Sequence, residues 1–143
     1  INVGQDNGAR LGQAVMSEFG LVGIIVEVAG SFSRVLQITD INSQIPVVTE
    51  NTRDPAIMAG DNTSLLKLKF MPSDSLVAVG DRIVTSGHGG LLPPDIPIGY
   101  IEEIDGPRVI VSSLVDWSRL DYIRILDYRF ADDLSQYLNN QSD

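Results

Sequence analysis

The chain has 143 residues, with Lys+Arg 10 against Asp+Glu 19 and a formal net charge of -9. That balance argues against nucleic acid as a main partner, since phosphate binding needs clustered cations, and against adsorption to anionic lipid. The lack of cysteine excludes disulfides, zinc–thiolate sites and cysteine nucleophiles, while a hydrophobic content of 43% is that of an ordinary folded domain.

Residues 1–3 resemble the tail of a strand, and 4–8 form a dense turn signal around Asn7-Gly8. Residues 12–19 are expected as a strand with Val15 and Phe19 on one face. Residues 21–29 are a strong strand, with Val22, Ile24, Val26 and Val28 alternating against Gly23, Ile25 and Glu27. A turn at 30–33 leads to a third strand at 34–40, with Leu36 and Ile38 inward. Residues 45–50 form a short strand that contains Pro46, which predicts an edge position because proline cannot donate to a ladder. Residues 56–59 are short. Residues 63–70 alternate cleanly, with Leu66, Leu68 and Phe70 on one side and the only two lysines, Lys67 and Lys69, on the other, where they would discourage edge pairing. Residues 71–75 turn the chain.

Strands are expected again at 82–85, 100–104 and 108–115, the last two joined by a hairpin turn at Asp105-Gly106-Pro107. Asp116 is placed to N-cap a single helical turn over 116–120. Residues 122–130 form the last strand. Residues 131–143 form an acidic polar tail, expected to be disordered apart from a short helix near 134–138. Roughly ten short strands with turns every 8–12 residues indicate an all-β sandwich or barrel. No apolar run reaches the ~18–20 residues of a bilayer span, and no signal peptide is visible. The chain opens at Ile1 inside an expected strand rather than at a methionine, which reads as a processed or excised chain, so missing anchors are no evidence against a membrane-tethered parent.

The most punctuated stretch runs over 80–99. Gly80 and Asp81 turn the chain, 82–85 form a strand, Gly87, Gly89 and Gly90 permit backbone angles closed to other residues, and Pro93, Pro94 and Pro97 restrict the return. It holds the only histidine, His88, so a catalytic reading begins here. A Ser86–His88 pair with Asp81 or Asp95 would be a hydrolase constellation. However, a triad normally draws its members from separate segments, and the G-x-S-x-G elbow fails because Val84 stands at its first glycine. His88 is then a loop-tip residue and Ser86 a turn hydroxyl. The glycine loop lacks the Walker lysine and a following helix, no metal-ligand spacing involves His88, and no cofactor is expected. From Ile83 to Pro107 there is no Lys or Arg, so this region presents an acidic face where exposed. Trp117, Tyr122 and Tyr128 are a candidate interface patch, although Trp117 is equally suited to plugging a barrel end.

Gly80, Asp81, Thr85, Ser86, Gly87, Gly89, Gly90, Pro93, Pro97 and Gly99, in this order, resemble the signature of the MreC family of bacterial rod shape-determining proteins. Upstream, Gly20-Leu21-Val22-Gly23, the run from Ser33 through Asp40, and Ile45-Pro46-Val47 are similar to the family's first half in order and spacing. Asp95 departs from the pattern, standing where the family has glycine, a residue type that still tolerates positive φ. The resemblance implies two small six-stranded-type β-barrels related to the chymotrypsin barrel, without its catalytic machinery. It implies a non-enzymatic, extracytoplasmic (periplasmic) scaffold of the elongation machinery, anchored through a membrane segment absent from this chain. Its implied partners are a class B penicillin-binding protein of elongation, other elongasome membrane proteins, and further copies of itself. The expected division is one barrel from 1–20 and 71–130 with a second barrel, 21–70, inserted; a sequential split near Met71 is the alternative. A serine hydrolase on a similar barrel and a peptidoglycan-binding module are the competing functions.

Overall fold

Turn residues cut the chain into short apolar strands, and the strands sort into two sheets. The structure is a computed structural model and describes residues 1–90, 92–120 and 123–126. Ten strands occur among the described residues: β1 (Ala14–Met16), β2 (Leu21–Val28), β3 (Ser33–Gln37), β4 (Gln44–Thr49), β5 (Pro55–Ala59), β6 (Leu65–Lys69), β7 (Arg82–Thr85), β8 (Pro97–Asp105), β9 (Arg108–Ser113) and β10 (Arg124–Ile125). Two single 3-10 turns, Gln5–Asn7 and Trp117–Arg119, complete the set. The expected all-β class is correct.

Six strands close a barrel in the order β4-β5-β6-β9-β8-β7, with every pairing antiparallel. The other four form an open sheet, β10-β1-β2-β3. Among the described residues there is therefore one closed barrel and one open sheet, so the expected pair of barrels is a loose description. The ends of the chain do come together, because β1 pairs with β10. The expected boundaries are not the observed ones. β2 and β3 pair with β1 and with each other, and β4 to β6 close with β7 to β9, so the inserted unit is the barrel spanning 44–113. The division falls at the turn after Ile38 because the β2–β3 hairpin has its ladder partner in β1, which leaves β4 free to pair with β7.

One core runs through both sheets. Ile45, Val47, Met58, Leu66, Leu68, Ile83, Ile98, Ile101 and Val111 fill the barrel, and the same cluster includes Ala14, Met16, Leu21, Ile38 and Leu126 from the sheet side. The far side of the sheet has its own cluster around Val15, Val22, Ile25 and Val115. A sheet buried on both faces explains why β2 is apolar almost throughout its first half rather than strictly alternating.

Three expectations from periodicity fail for tertiary reasons. Pro46 is not on an edge, since β4 lies between β5 and β7. Its carbonyl accepts from Ser86 N at 3.1 Å, so its nitrogen faces the point where the β7 ladder ends and no donor is missed. Lys67 and Lys69 protect no edge, because β6 is flanked by β5 and β9; Lys67 Nζ instead lies 3.7 Å from Asp61. Phe19 and Phe70 are not inward. Phe19 sits in a turn where Ser17 Oγ accepts from the amides of Phe19 and Gly20. β6 ends at Lys69, and the backbone enters the left-handed region at Phe70 (φ 61), which swings that ring into solvent at 82% exposure.

Candidate functional site

The stretch 80–99 is built as a corner of the barrel. At its start, Gly80 (φ 94) lets its amide donate to Ile101 O at 2.8 Å, and Ile101 N returns a bond to Asp81 O at 2.8 Å. The Asp81 carboxylate accepts from Ala78 N at 2.9 Å, while Asp81 N donates to Ala78 O at 3.1 Å. Asp81 therefore fastens the loop that precedes β7 to the barrel wall.

Thr85 holds the other end. It is buried, and its hydroxyl both donates to Pro93 O at 2.7 Å and accepts from Ile96 N at 2.9 Å. Its backbone adds bonds with Ile96 O at 3.0 Å and Asp95 N at 2.8 Å. One side chain thus satisfies two groups of the returning loop that the sheet ladder leaves over. Leu92 and Ile96, released by this geometry, drop into the barrel core. Gly87 (φ 76) packs against Pro94, and Gly90 N donates to Gly87 O at 3.2 Å to close the loop tip. Gly99 has no room for a side chain, because a Cβ there would overlap the Ser112 carbonyl of β9. Pro97 pairs opposite Val84 where the register shifts. Asp95 adopts the left-handed conformation expected of it (φ 67), and its carboxylate meets Arg53 Nη1 at 3.1 Å.

These bonds leave no catalytic constellation among the named residues. Ser86 Oγ accepts from the His88 amide at 3.1 Å, which makes it a turn hydroxyl. His88 is exposed at the tip. Asp81 lies at the opposite end of β7, roughly 15 Å along the strand at about 3.3 Å per residue, and its carboxylate is engaged on Ala78. Asp95 is engaged on Arg53. Among the described residues, no group of three or more His, Asp or Glu is placed to hold a metal ion.

Trp117 is half-buried in its 3-10 turn and packs against both core clusters, so its ring wedges the sheet side to the barrel rather than lying flat on the surface. Asp116 caps that turn by accepting from Ser118 N at 3.1 Å, as its position predicts; the Ser118 hydroxyl bond, its amide and the charge of Arg119 hold the carboxyl below its ordinary range. Tyr122 and Tyr128 lie outside the described residues.

Periodicity missed the surface on the other side of Asp81. Residues 70–79, between β6 and β7, cross one end of the barrel and expose Phe70, Leu76 and Val79 at 82%, 82% and 64%. The available signal was three large apolar residues in a segment punctuated by Pro72, Ser73 and Asp74, where regular burial is not expected.

Comparison with known proteins decides the family. The chain matches the family described as "Rod shape-determining protein MreC, barrel core" over residues 1–127. It belongs to the MreC family. It is 40% identical over 126 residues to the cell shape-determining protein MreC of Cereibacter sphaeroides, covering 88% of this chain and 42% of that protein. To the MreC of Caulobacter vibrioides it is 39% identical over 129 residues, covering 90% and 37%. The chain thus spans less than half the length of these relatives. Among solved structures, MreC from Pseudomonas aeruginosa superposes with a TM-score of 0.81 at 29% identity, covering 89% of this chain and 86% of the other. The fold is also shared, at 15% identity and a TM-score of 0.61 over 78% of this chain and 74% of the other, with a structure described as a complex between penicillin-binding protein PBP2 and MreC from Helicobacter pylori. The MreC family is one of shape-determining structural proteins, not of enzymes.

Proposed function

We propose that this chain is the β-structured, extracytoplasmic part of a scaffold for the cell-elongation machinery, carried on a membrane-anchored parent. It docks a class B penicillin-binding protein of elongation and maintains rod shape by positioning that enzyme; self-association and contacts with other elongasome membrane proteins belong to the same role. The observation that carries this reading is the shared fold with the MreC chain solved in complex with PBP2. Two others support it: a structure among the neighbours is described as the major periplasmic domain of the cell shape-determining filament MreC, at 25% identity and a TM-score of 0.76, and the net charge of -9 suits a protein surface rather than nucleic acid.

The mechanism is surface complementarity on a rigid frame. A closed barrel holds its loops at fixed separations, so a partner meets a preorganised face and little ordering is required on association. The test is a titration of this chain with the extracytoplasmic part of its cognate elongation transpeptidase. Saturable binding at tens of micromolar or tighter, roughly -6 kcal/mol or better, is expected; no binding in that range overturns direct docking through this region.

A further inference from the structure

Asn7 is the only asparagine in the chain that precedes a glycine. It ends the 3-10 turn Gln5–Asn7, and both Asn7 and Gly8 are exposed. Among the described residues the Asn7 side-chain amide has no hydrogen-bond partner. Asn7 and Gly8 also line an open cleft of about 350 Å³, so solvent reaches both. Gly8 stands in the left-handed region (φ 87), and a Cβ there would meet nothing within 4 Å. Because glycine has no Cβ, the Gly8 nitrogen can approach the preceding side chain at low steric cost.

The turn is closed around this peptide bond. Gly8 N donates to Gln5 O at 3.1 Å, Asn7 N to Gly4 O at 3.0 Å and Ala9 N to Gly4 O at 3.1 Å. Its two ends are buried: Gly4 has no room for a side chain against Ala29 O and Phe32 N, and Ala9 joins the cluster on the far side of the sheet. Gln5 N and Asp6 N tie the turn to Ala29 O at 2.7 Å and Gly30 O at 3.1 Å. While the turn is closed, the proton of Gly8 N is engaged on Gln5 O. Attack by that nitrogen therefore waits on local opening, which for an exposed turn costs far less than global unfolding.

We propose that Asn7–Gly8 is a spontaneous modification site gated by this turn. In the opened turn the Gly8 nitrogen attacks the Asn7 side-chain carbonyl carbon. A new N–Cγ bond forms, the Cγ–Nδ2 bond breaks, and ammonia leaves with the Gly8 amide proton. Water then adds across one of the two imide C–N bonds. Opening on the side-chain carbonyl leaves an aspartyl residue at position 7. Opening on the main-chain carbonyl leaves an isoaspartyl linkage, with one more backbone atom between positions 7 and 8. No oxidant, reductant or enzyme takes part. Both products add a negative charge beside Asp6. The isoaspartyl product also lengthens the loop that Ala9 N closes on Gly4 O, so it loosens the turn from the β2–β3 connection.

The test is peptide mass spectrometry of the chain incubated at mildly alkaline pH, folded and in urea, beside the variant Gly8→Asp. Aspartate suits the left-handed backbone while its side chain hinders the attack. In the folded chain Asn7 is expected to convert ahead of the exposed Asn42, Asn51 and Asn62. In urea its conversion should be at least tenfold faster than in the folded chain. Gly8→Asp should slow it at least tenfold in urea, where the fold cannot contribute. Hydrogen exchange of the aged chain should show the Gln5 and Asp6 amides less protected and those of β4–β9 unchanged. If Asn7 in the folded chain converts no faster than Asn42, Asn51 and Asn62, the site assignment falls. If it converts as fast folded as in urea, the turn does not gate it and the proposal is overturned. If Gly8→Asp keeps the parent's rate in urea, the Gly8 nitrogen is not the attacking group and the proposal fails.

Discussion

The barrel and the four-stranded sheet are made from similar strands, but they treat their edges differently. In the barrel every strand has two neighbours, so its ladders close on themselves. Among the described residues the sheet ends in β10 on one side and β3 on the other. The β3 edge is partly covered, since Ile1 N donates to Ser33 O at 2.7 Å and Ser33 N to Ile1 O at 2.9 Å, an antiparallel pair outside the sheet. The barrel therefore supplies a rigid frame that depends on no outside strand, while the sheet is held chiefly by burial on both faces. The exposed apolar residues of 70–79, fastened by Asp54 and Asp81, belong to the barrel end.

The largest expected effect separates the two regions directly. Gly99→Ala forces a Cβ into the Ser112 carbonyl inside the closed ladder and should cost about 3 kcal/mol, visible as a lower denaturation midpoint with amide protection lost throughout the barrel. Gly23→Ala meets the Leu36 carbonyl in the open sheet. By hydrogen exchange it should release the β1–β3 amides while those of β4–β9 stay protected. Simultaneous loss of both sets would show that the sheet and barrel are one cooperative unit and would erase the contrast.

Thr85→Val comes next. It keeps the shape but leaves Pro93 O and Ile96 N without partners in a buried corner, an expected loss of about 2 kcal/mol. Chemical denaturation gives the magnitude, and faster exchange of the Ile96 amide locates it. A smaller effect of opposite sign is expected for Phe70→Gly, which relieves a left-handed residue with little buried contact and should stabilise by about 1 kcal/mol. A clear loss of stability would mean that the ring supports the barrel end.

The smallest effect is on pH, with one group in each region. Bonds from the Thr63 hydroxyl and amide, with the charge of Lys67, hold Asp61 of the barrel below its ordinary 3.8, and Ser118 does the same for Asp116 beside the sheet. A carboxyl with a depressed folded value adds stability above its unfolded value and loses it as pH falls through the folded one. Stability from these two should be complete at neutral pH and decline only below about 4. Asp116 is exposed and Asp61 only partly shielded from solvent, so the loss is small. Denaturation at pH 7 and pH 3 of Thr63→Ala and Ser118→Ala should show the parent's extra acid sensitivity reduced, with barrel probes responding to the first and sheet probes to the second.

Much of the fold was legible because strand periodicity and turn chemistry are local. The alternation of Leu66 and Leu68 with Lys67 and Lys69, the Gly106 turn between β8 and β9, the Asp116 cap and the positive φ at Asp95 all follow from the residue and its immediate neighbours. The role of Ser86 as a turn hydroxyl was also legible, because a hydroxyl two residues before a loop-tip amide is placed to accept from it. Family membership was carried by an ordered set of such local features. The grouping of strands was not legible. The sequence shows that β2 and β4 are strands, but not that β2 turns back on β1 while β4 crosses to β7, because an apolar strand offers much the same hydrogen bonds to any neighbour. Pro46 looked like an edge residue until the end of β7 was placed beside its nitrogen, and Phe70 looked like core until β6 stopped one residue short of it. Local chemistry determined that this chain is a set of short strands joined by fixed turns. Only tertiary structure, through barrel closure and the fastening of residues 70–79 by Asp54 and Asp81, decided which apolar side chains remain exposed.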